Sequence, residues 1–204
     1  MKETLQELYS YIEENLMPLI ETPLEGNIYS IHLQTERSDQ MVKKQENFIK
    51  LISENSFDKV LEVGFNAGFS SLLMLMVNKG LNLHAVDLGE HAYVMPCFNR
   101  IKEDHPEISI QLGDSKKVLS ELVQKGEQYD LIHIDGDHSY AGCKADIENA
   151  LQLSKKGTVI VIDDINLPQC FQCYIELLQT GKVKDLTSNY DNSDRFKHAF
   201  VEVI

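Results

Sequence analysis

After residue 57, short apolar runs alternate with amphipathic segments of helix length. We predict strands over the runs Lys59–Val63, Asn82–Val86, Ile108–Leu112, Tyr129–Ile134 and Thr158–Ile162. Helices are predicted between them, over Phe69–Asn78, Ala92–Asp104, Lys116–Lys125 and Tyr140–Leu153. Because strands that alternate with helices form right-handed βαβ units, this order predicts a parallel sheet with helices on both faces.

Both ends of the chain add elements to this pattern. Leucine and isoleucine at spacings of three and four predict a helix over residues 1–20, and a second helix is predicted from an N-cap at Ser38 or Asp39 to about Glu54. The segment 22–37 between them shows no clear pattern.

The C-terminal part is predicted to hold a helix over Pro168–Gln179, followed by the alternating runs Lys182–Leu186 and His198–Val203, which are typical of edge strands. The whole pattern predicts an α/β fold with a doubly wound, mostly parallel sheet of seven strands. We expect an N-terminal helical cap at 1–37 and one main domain at 38–204.

Composition narrows the classes of function. The formal net charge of −13 argues against a broad nucleic-acid interface, which usually needs a basic patch. No apolar run is long enough for a membrane span, and no secretion signal is visible, so we expect a cytoplasmic protein. The four cysteines show no disulfide framework, in keeping with a reducing compartment.

All five predicted parallel strands end in or beside a carboxylate. In such sheets ligands bind outside the carboxyl ends of the strands, so these residues are candidates for a site. In chain order they are Glu62 with Gly64, Asp87, the turn Gly113-Asp114-Ser115, Asp135 with Asp137 and His138, and the pair Asp163-Asp164.

The first turn departs from a dinucleotide-binding fingerprint. That fingerprint is Gly-x-Gly-x-x-Gly, whereas Asn66 and Ala67 stand between Gly64 and Gly68, and Glu62 adds a negative charge. A carboxylate suits a cationic or amino group better than a pyrophosphate. Asp87 suits a ribose diol, so the pair of acids predicts a nucleoside that carries a positive group. A plain structural turn with a solvated Glu62 is the alternative.

The stretch Glu62–Ser70 resembles the first motif of class I S-adenosylmethionine-dependent methyltransferases, in the form found in the catechol and sugar O-methyltransferase-like branch. The resemblance covers residues 38–204 and implies a Rossmann-like sheet whose last strand is antiparallel beside the fifth. It assigns Ser70 and the Gly64 turn to the methionine end of S-adenosylmethionine, Asp87 to the ribose and Gly113-Asp114-Ser115 to the adenine. The cofactor-binding residues that it implies are Glu62, Gly64, Phe65, Asn66, Gly68, Ser70, Asp87, Leu88, Gly113, Asp114, Ser115 and Asp135.

Asp135, Asp163 and Asp164 follow two strands that are expected to be neighbours, about 4.8 Å apart. Carboxylates that close are costly unless a cation lies between them, which predicts a hard divalent ion such as Mg²⁺. The resemblance implies the same metal ligands, with Asp163-Asp164 as in sugar methyltransferases, where catechol enzymes have Asp-Asn. The alternative is that Asp164 and Asn166 cap the helix at Pro168.

His138 is the candidate general base, since it lies where the resemblance puts a catalytic lysine of the catechol enzymes. A neutral imidazole there could take a hydroxyl proton near pH 7, with Asp135 as the second catalytic residue. The alternative is that His138 only precedes a helix that Asp137 or Ser139 caps. His133 is expected to be a hydrogen-bonded core residue, and Cys170 and Cys173 to lie on a helix face.

The predicted function is methyl transfer from S-adenosylmethionine to a hydroxyl of a small molecule, assisted by a divalent metal ion. An NAD-dependent oxidoreductase and a non-catalytic module of the same fold are the alternatives. We expect neither a nucleic-acid nor a membrane partner. The short N-terminal segment predicts either an open pocket or one that a second copy of the chain completes.

Overall fold

The computed structural model describes all 204 residues. Its seven strands are β1 (Lys59–Val63), β2 (Asn82–Asp87), β3 (Ser109–Leu112), β4 (Tyr129–Ile134), β5 (Ser154–Ile162), β6 (Val183–Asp185) and β7 (Ala199–Val203). Its α-helices are α1 (Lys2–Tyr11), α2 (Val42–Glu54), α3 (Phe69–Val77), α4 (Val94–Asp104), α5 (Ser115–Gln124), α6 (Tyr140–Gln152) and α7 (Pro168–Gln179). No helix is long and apolar enough to cross a membrane.

The sheet has the strand order β3-β2-β1-β4-β5-β7-β6. β1 to β5 pair in parallel, and β7 is antiparallel to both β5 and β6. The predicted parallel sheet and the antiparallel last strand beside the fifth are therefore confirmed. The prediction that His198–Val203 forms an edge strand is wrong, because β7 lies between two strands and its Phe200 and Val201 are buried.

Helices cover both faces of the sheet. The apolar sides of α1 to α4 form one core, and those of α5 to α7 form the other. The helix predicted over residues 1–20 is shorter, since α1 ends at Tyr11 and the chain continues through a π-helical turn (Ile12–Leu16) and a 3₁₀ turn (Met17–Leu19). Pro18 has no backbone N–H to donate, which favours the tighter final turn.

The N-terminal segment packs onto the same core as α2 and α3. Leu8, Ile12, Leu16, Leu24 and Ile28 are buried there. Residues 1–37 therefore extend one apolar core of the main domain.

The register of the central strands brings their carboxyl ends to one level. Val63 pairs with Val86 on one side and with Ile134 on the other, and Ile134 pairs with Ile162. The residues that follow these positions therefore meet at a single edge of the sheet.

Candidate active site at the carboxyl ends of the strands

A cavity of about 550 Å³ opens at this edge of the sheet. It is lined mainly by polar residues that follow β1 to β4. Of the cofactor-binding residues predicted from the sequence, the cavity is lined by Gly64, Asn66, Asp87, Leu88, Gly113, Asp114, Ser115 and Asp135. Asp137 also lines the cavity, as do three residues without a role predicted from the sequence, which are Glu90, Lys116 and Gly136.

Gly64 allows the ends of β1 and β4 to come together. Its φ of 94° lies in the left-handed region, and a Cβ built on it would overlap the backbone carbonyl of Asp135. A larger residue would therefore force these two strand ends apart and change the floor of the cavity.

The turn after β1 is tied to the acid after β2. The backbone amide of Asn66 donates to Asp87 Oδ2 at 2.8 Å, and the amide of Gly89 donates to Asp87 Oδ1 at 2.7 Å. Each carboxylate oxygen keeps a second lone pair for a ligand. Asp87 is thus held rigidly at the cavity wall with acceptor capacity for a pair of hydroxyls.

The turn after β3 begins helix α5. Asp114 is its N-cap, since Asp114 Oδ1 accepts from the backbone amide of Lys116 at 3.0 Å. Gly113, Asp114 and Ser115 line the same cavity as Gly64. This turn therefore forms the part of the cavity wall that follows β3.

Glu62 does not line the cavity. Its carboxylate is buried beneath the first turn, where Oε1 accepts from the Ser70 hydroxyl at 2.6 Å and Oε2 accepts from the Ser71 hydroxyl. His133 Nδ1 lies 3.0 Å from Glu62 Oε1. In this structure the side chains of Glu62 and Ser70 contact one another in the core, and neither lines the cavity. Their direct contact with a ligand stays a prediction.

Phe65 and Gly68 shape the same turn from behind. The Phe65 ring is buried edge-to-face against Phe98, with ring centroids 5.9 Å apart. Gly68, at a φ of 75°, precedes helix α3, and a Cβ there would overlap the side chains of Phe65 and Ile101. These two residues position the turn and do not line the cavity.

Asp135, His138 and Asp164 form a half-buried cluster at the end of β4 and β5. His138 Nε2 lies 3.3 Å from Asp135 Oδ1 and 3.7 Å from Asp164 Oδ2. Asp164 has a φ of 50°, an uncommon backbone conformation for a residue with a side chain. The geometry brings together the predicted catalytic pair, Asp135 and His138, and two of the three predicted metal ligands, Asp135 and Asp164.

Asp163 points into the protein and pairs with Lys44 of α2. The Lys44 Nζ lies 2.7 Å from Asp163 Oδ1 and 3.5 Å from Asp164 Oδ1. His133 and His198 each bring one ring nitrogen to 3.7 Å from the Asp163 carboxylate. The structure thus adds a buried cation to the three acids, which sequence analysis did not anticipate.

The charges in this cluster shift one another's pKa. Burial disfavours the charge on Asp163, but Lys44 and His133 hold the pKa of Asp163 well below its usual range. Burial also disfavours the charge on Lys44, but the neighbouring aspartates raise the pKa of Lys44. Burial and the nearby Asp163 raise the pKa of Asp135 to about 6.

The hydrogen bond to Asp135 raises the pKa of His138 to about 9. A ring with this pKa carries its proton at neutral pH, in contrast to the neutral imidazole predicted from the sequence. The reason is the ionised Asp135 beside it, which favours the imidazolium. The helix after His138 begins as the alternative predicted, since the Ser139 hydroxyl caps α6 at the Gly142 amide. Asp164 and Asn166, by contrast, do not cap α7.

Lys44 and Asp146 are the main residues of this region that sequence analysis missed. Lys44 shares a helix face with Met41 and Phe48, so a lysine at an apolar position was the available signal. Asp146 of α6 is fully buried, its two carboxylate oxygens lack hydrogen-bond partners, and it lies behind Gly136 of the cavity. A lone acid on a helix gave no signal of that kind.

The region that holds these strand ends matches a known protein family. A family model described as a methyltransferase domain matches residues 61–165, from β1 to the residue after Asp164.

Two curated relatives come from Dictyostelium discoideum. The protein described as probable caffeoyl-CoA O-methyltransferase 2 is 26% identical over 200 residues, which cover 84% of this chain and 80% of the relative. The one described as probable caffeoyl-CoA O-methyltransferase 1 is 28% identical over 156 residues, which cover 72% of this chain. This second match spans only 60% of the relative's length.

Solved structures share the fold. The O-methyltransferase from Bacillus cereus in complex with SAH has a TM-score of 0.65 at 17% identity and covers 99% of this chain and 90% of its own. The O-methyltransferase TomG from Streptomyces achromogenes in complex with SAM has a TM-score of 0.63 at 15% identity, covering 79% of each chain. At these levels of sequence identity, the similarity shows a shared fold and nothing more.

Proposed function

The chain belongs to the methyltransferase-domain family, and from this premise we propose that it transfers the methyl group of S-adenosylmethionine (SAM) to a hydroxyl of a small molecule. The observation that carries the proposal is the convergence of Gly64, Asp87, the Gly113–Ser115 turn and Asp135 on one cavity. The names of the two Dictyostelium relatives support an oxygen acceptor.

In the proposed complex, Asp87 accepts hydrogen bonds from the ribose hydroxyls of SAM. Its two oxygens are already fixed by the amides of Asn66 and Gly89, so little ordering remains to be done when the ligand binds. The turn Gly113–Ser115 takes the adenine, and the Gly64 turn takes the methionine end. Asp135 lies at the border between this cavity and the acid cluster, where the sulfonium would meet the acceptor.

The reaction breaks the bond between the sulfonium and its methyl group and forms a bond between that methyl group and the acceptor oxygen. The products are S-adenosylhomocysteine (SAH), an ether and the hydroxyl proton. We propose that His138 contacts the acceptor hydroxyl. As the imidazolium that Asp135 favours at neutral pH it stabilises the charge on the oxygen, and the smaller neutral fraction of the ring, which grows toward pH 9, accepts the proton. Holding both reactants at near-attack distance supplies much of the remaining acceleration.

The acid cluster has the donors for a hard divalent ion: Asp135 and Asp164 would hold it, and Asp163, which pairs with Lys44, is the third candidate ligand. Ligand atoms of Asp135, His138 and Asp164 lie within 4.8 Å of one another, and Asp163 Oδ2 is buried without a hydrogen-bond partner. Carboxylate oxygens are the protein ligands that Mg²⁺ prefers. When bound, such an ion lowers the pKa of a hydroxyl that coordinates it.

The N-terminal segment is proposed to cap the acceptor side. It already contacts the turn after β1, since the Asn66 side-chain amide donates to the carbonyl of Gly26 at 2.6 Å. Completion of this pocket by a second copy of the chain and a cytoplasmic location both stay predictions.

Formation of SAH from SAM with matched acceptors tests the proposal. A catechol and a sugar with neighbouring hydroxyls are compared with analogues in which the hydroxyls are replaced by methoxy groups or hydrogen, and with a primary amine. We expect SAH to form only with a free hydroxyl. SAH formation with the amine and with none of the hydroxyl acceptors would contradict oxygen as the methylated atom.

A further inference from the structure

Lys44 brings a positive charge into the acid cluster from helix α2, which contributes no other charge to it. Its side chain is only 5% exposed, and it occupies the helix face of Met41 and Phe48. A buried ammonium is tolerated only when it is paired. Lys44 is paired with Asp163 at 2.7 Å, with Asp164 as a second, longer contact at 3.5 Å.

The Asp163 carboxylate lies in the interior of the protein and has its contacts there. Its side chain is fully buried, and Oδ1 accepts both from Lys44 and from the backbone amide of Asp164 at 2.6 Å. The rings of His133 and His198 enclose the rest of the carboxylate. Asp135 and Asp164 differ, because their side chains are 19% and 20% exposed and both contact His138 at the open side of the cluster.

Building on the proposed function, we infer that Lys44 is a positioning residue of the proposed active site and supplies a permanent positive charge to its cluster of acids. Its ammonium holds Asp163 in an internal ion pair, leaves Asp135 and Asp164 as the carboxylates that face the acceptor, and weakens the hold of the cluster on a divalent ion.

The charge of Lys44 affects how strongly the acid cluster binds a divalent ion. Each free carboxylate strengthens the binding of a divalent ion among the three acids, whereas an ammonium a few ångströms away repels the ion. This repulsion is strong in a site with little water. Lys44 cannot turn outward without leaving a cavity and an unpaired Asp163 in the core. The ion and Lys44 therefore compete for Asp163.

The test is the affinity of the full chain for Mn²⁺ alone. Mn²⁺ is titrated up to millimolar concentration, and the electron paramagnetic resonance signal of the free ion measures how much remains unbound. We expect Lys44→Met to bind Mn²⁺ at least tenfold more tightly than the wild type, because a third carboxylate is released and a positive charge is lost. Lys44→Arg, which keeps the charge, is the matched control and should bind within threefold of the wild type. If Lys44→Met binds Mn²⁺ as weakly as the wild type, or more weakly, the inference fails.

The double variant Lys44→Met with Asp163→Asn removes the ion pair without leaving a buried charge, so it is expected to fold even if Lys44→Met does not. The inference predicts Mn²⁺ affinity within threefold of the wild type, since neither residue holds the ion. A tenfold weaker affinity would show that Asp163 is a ligand and overturn it. Binding of SAH by the wild type is measured in parallel, because its absence would contradict the proposed function without touching the Mn²⁺ comparison.

Discussion

His133 Nδ1 lies 3.0 Å from Glu62 Oε1, in the core directly beneath the first turn of the cavity. The two residues are on neighbouring strands and are 71 positions apart in the chain. Together with the hydroxyls of Ser70 and Ser71, they tie β1, β4 and the start of α3 into one polar network. Glu62 therefore supports the turn after β1 from within the core.

Glu62→Gln is predicted to destabilise the protein by about 3–5 kcal/mol, because it leaves His133 and a serine hydroxyl without their buried acceptor. Urea unfolding measures the loss, and Glu14→Gln, on the surface of the N-terminal segment, is the control with the same chemical change. Unchanged stability with loss of SAH binding would instead support a direct contact between Glu62 and the ligand.

Asp87→Asn is predicted to weaken SAH binding about 10- to 100-fold, because a hydrogen bond to a charged group contributes about 1.5–3 kcal/mol. The substituted amide would also face the Asn66 and Gly89 amides, which are donors. Calorimetric titration gives the affinity. Glu90→Gln removes the same charge from the same cavity and should change it by less than threefold; equal losses in both variants would mean that only the overall charge matters.

Asp146 is predicted to make stability fall as the pH rises. Burial raises the pKa of Asp146 to about 6, and the charges of Asp137 and Asp114 add to the rise while the charge of Lys116 opposes it. Between about pH 4 and pH 6 the folded protein keeps a proton that the unfolded chain has released, so its stability decreases across this window. The loss amounts to at most about 3 kcal/mol for this group.

Asp146→Asn should therefore raise the melting temperature at pH 7 and flatten its fall between pH 4 and pH 6. Thermal unfolding across this range checks the prediction, with the exposed Glu148→Gln of the same helix as control. A variant that melts lower than the wild type at pH 7 would show that the ionised Asp146 has a partner that stabilises it.

His138→Gln is predicted to lower kcat by about 10²–10⁴-fold, the usual contribution of a positioned acid or base. Affinity for SAH should stay within about threefold, since His138 lies among the acids and outside the cofactor cavity. His91→Gln, which changes a histidine of that cavity, is the matched control. If kcat is preserved in His138→Gln, the histidine serves only the local structure before α6.

Much of the fold could be predicted because each central strand is a compact apolar run followed by a helix-length segment. β7 was misjudged because its alternation of apolar and polar residues says nothing about which strands lie beside it. Lys44 was missed because a lysine in a helix pattern is normally assigned to the solvent side. Its partner Asp163 is 119 positions further along the chain, and only the packing of α2 against the sheet brings them together.

The binding of SAH compared with NAD, each with Mg²⁺ and with EDTA, tests the central claim of a SAM-dependent transferase most directly. Calorimetric titration of the wild type should show one SAH per chain, no binding of NAD, and loss of most SAH affinity in Asp87→Asn. Binding of NAD without binding of SAH would contradict the account.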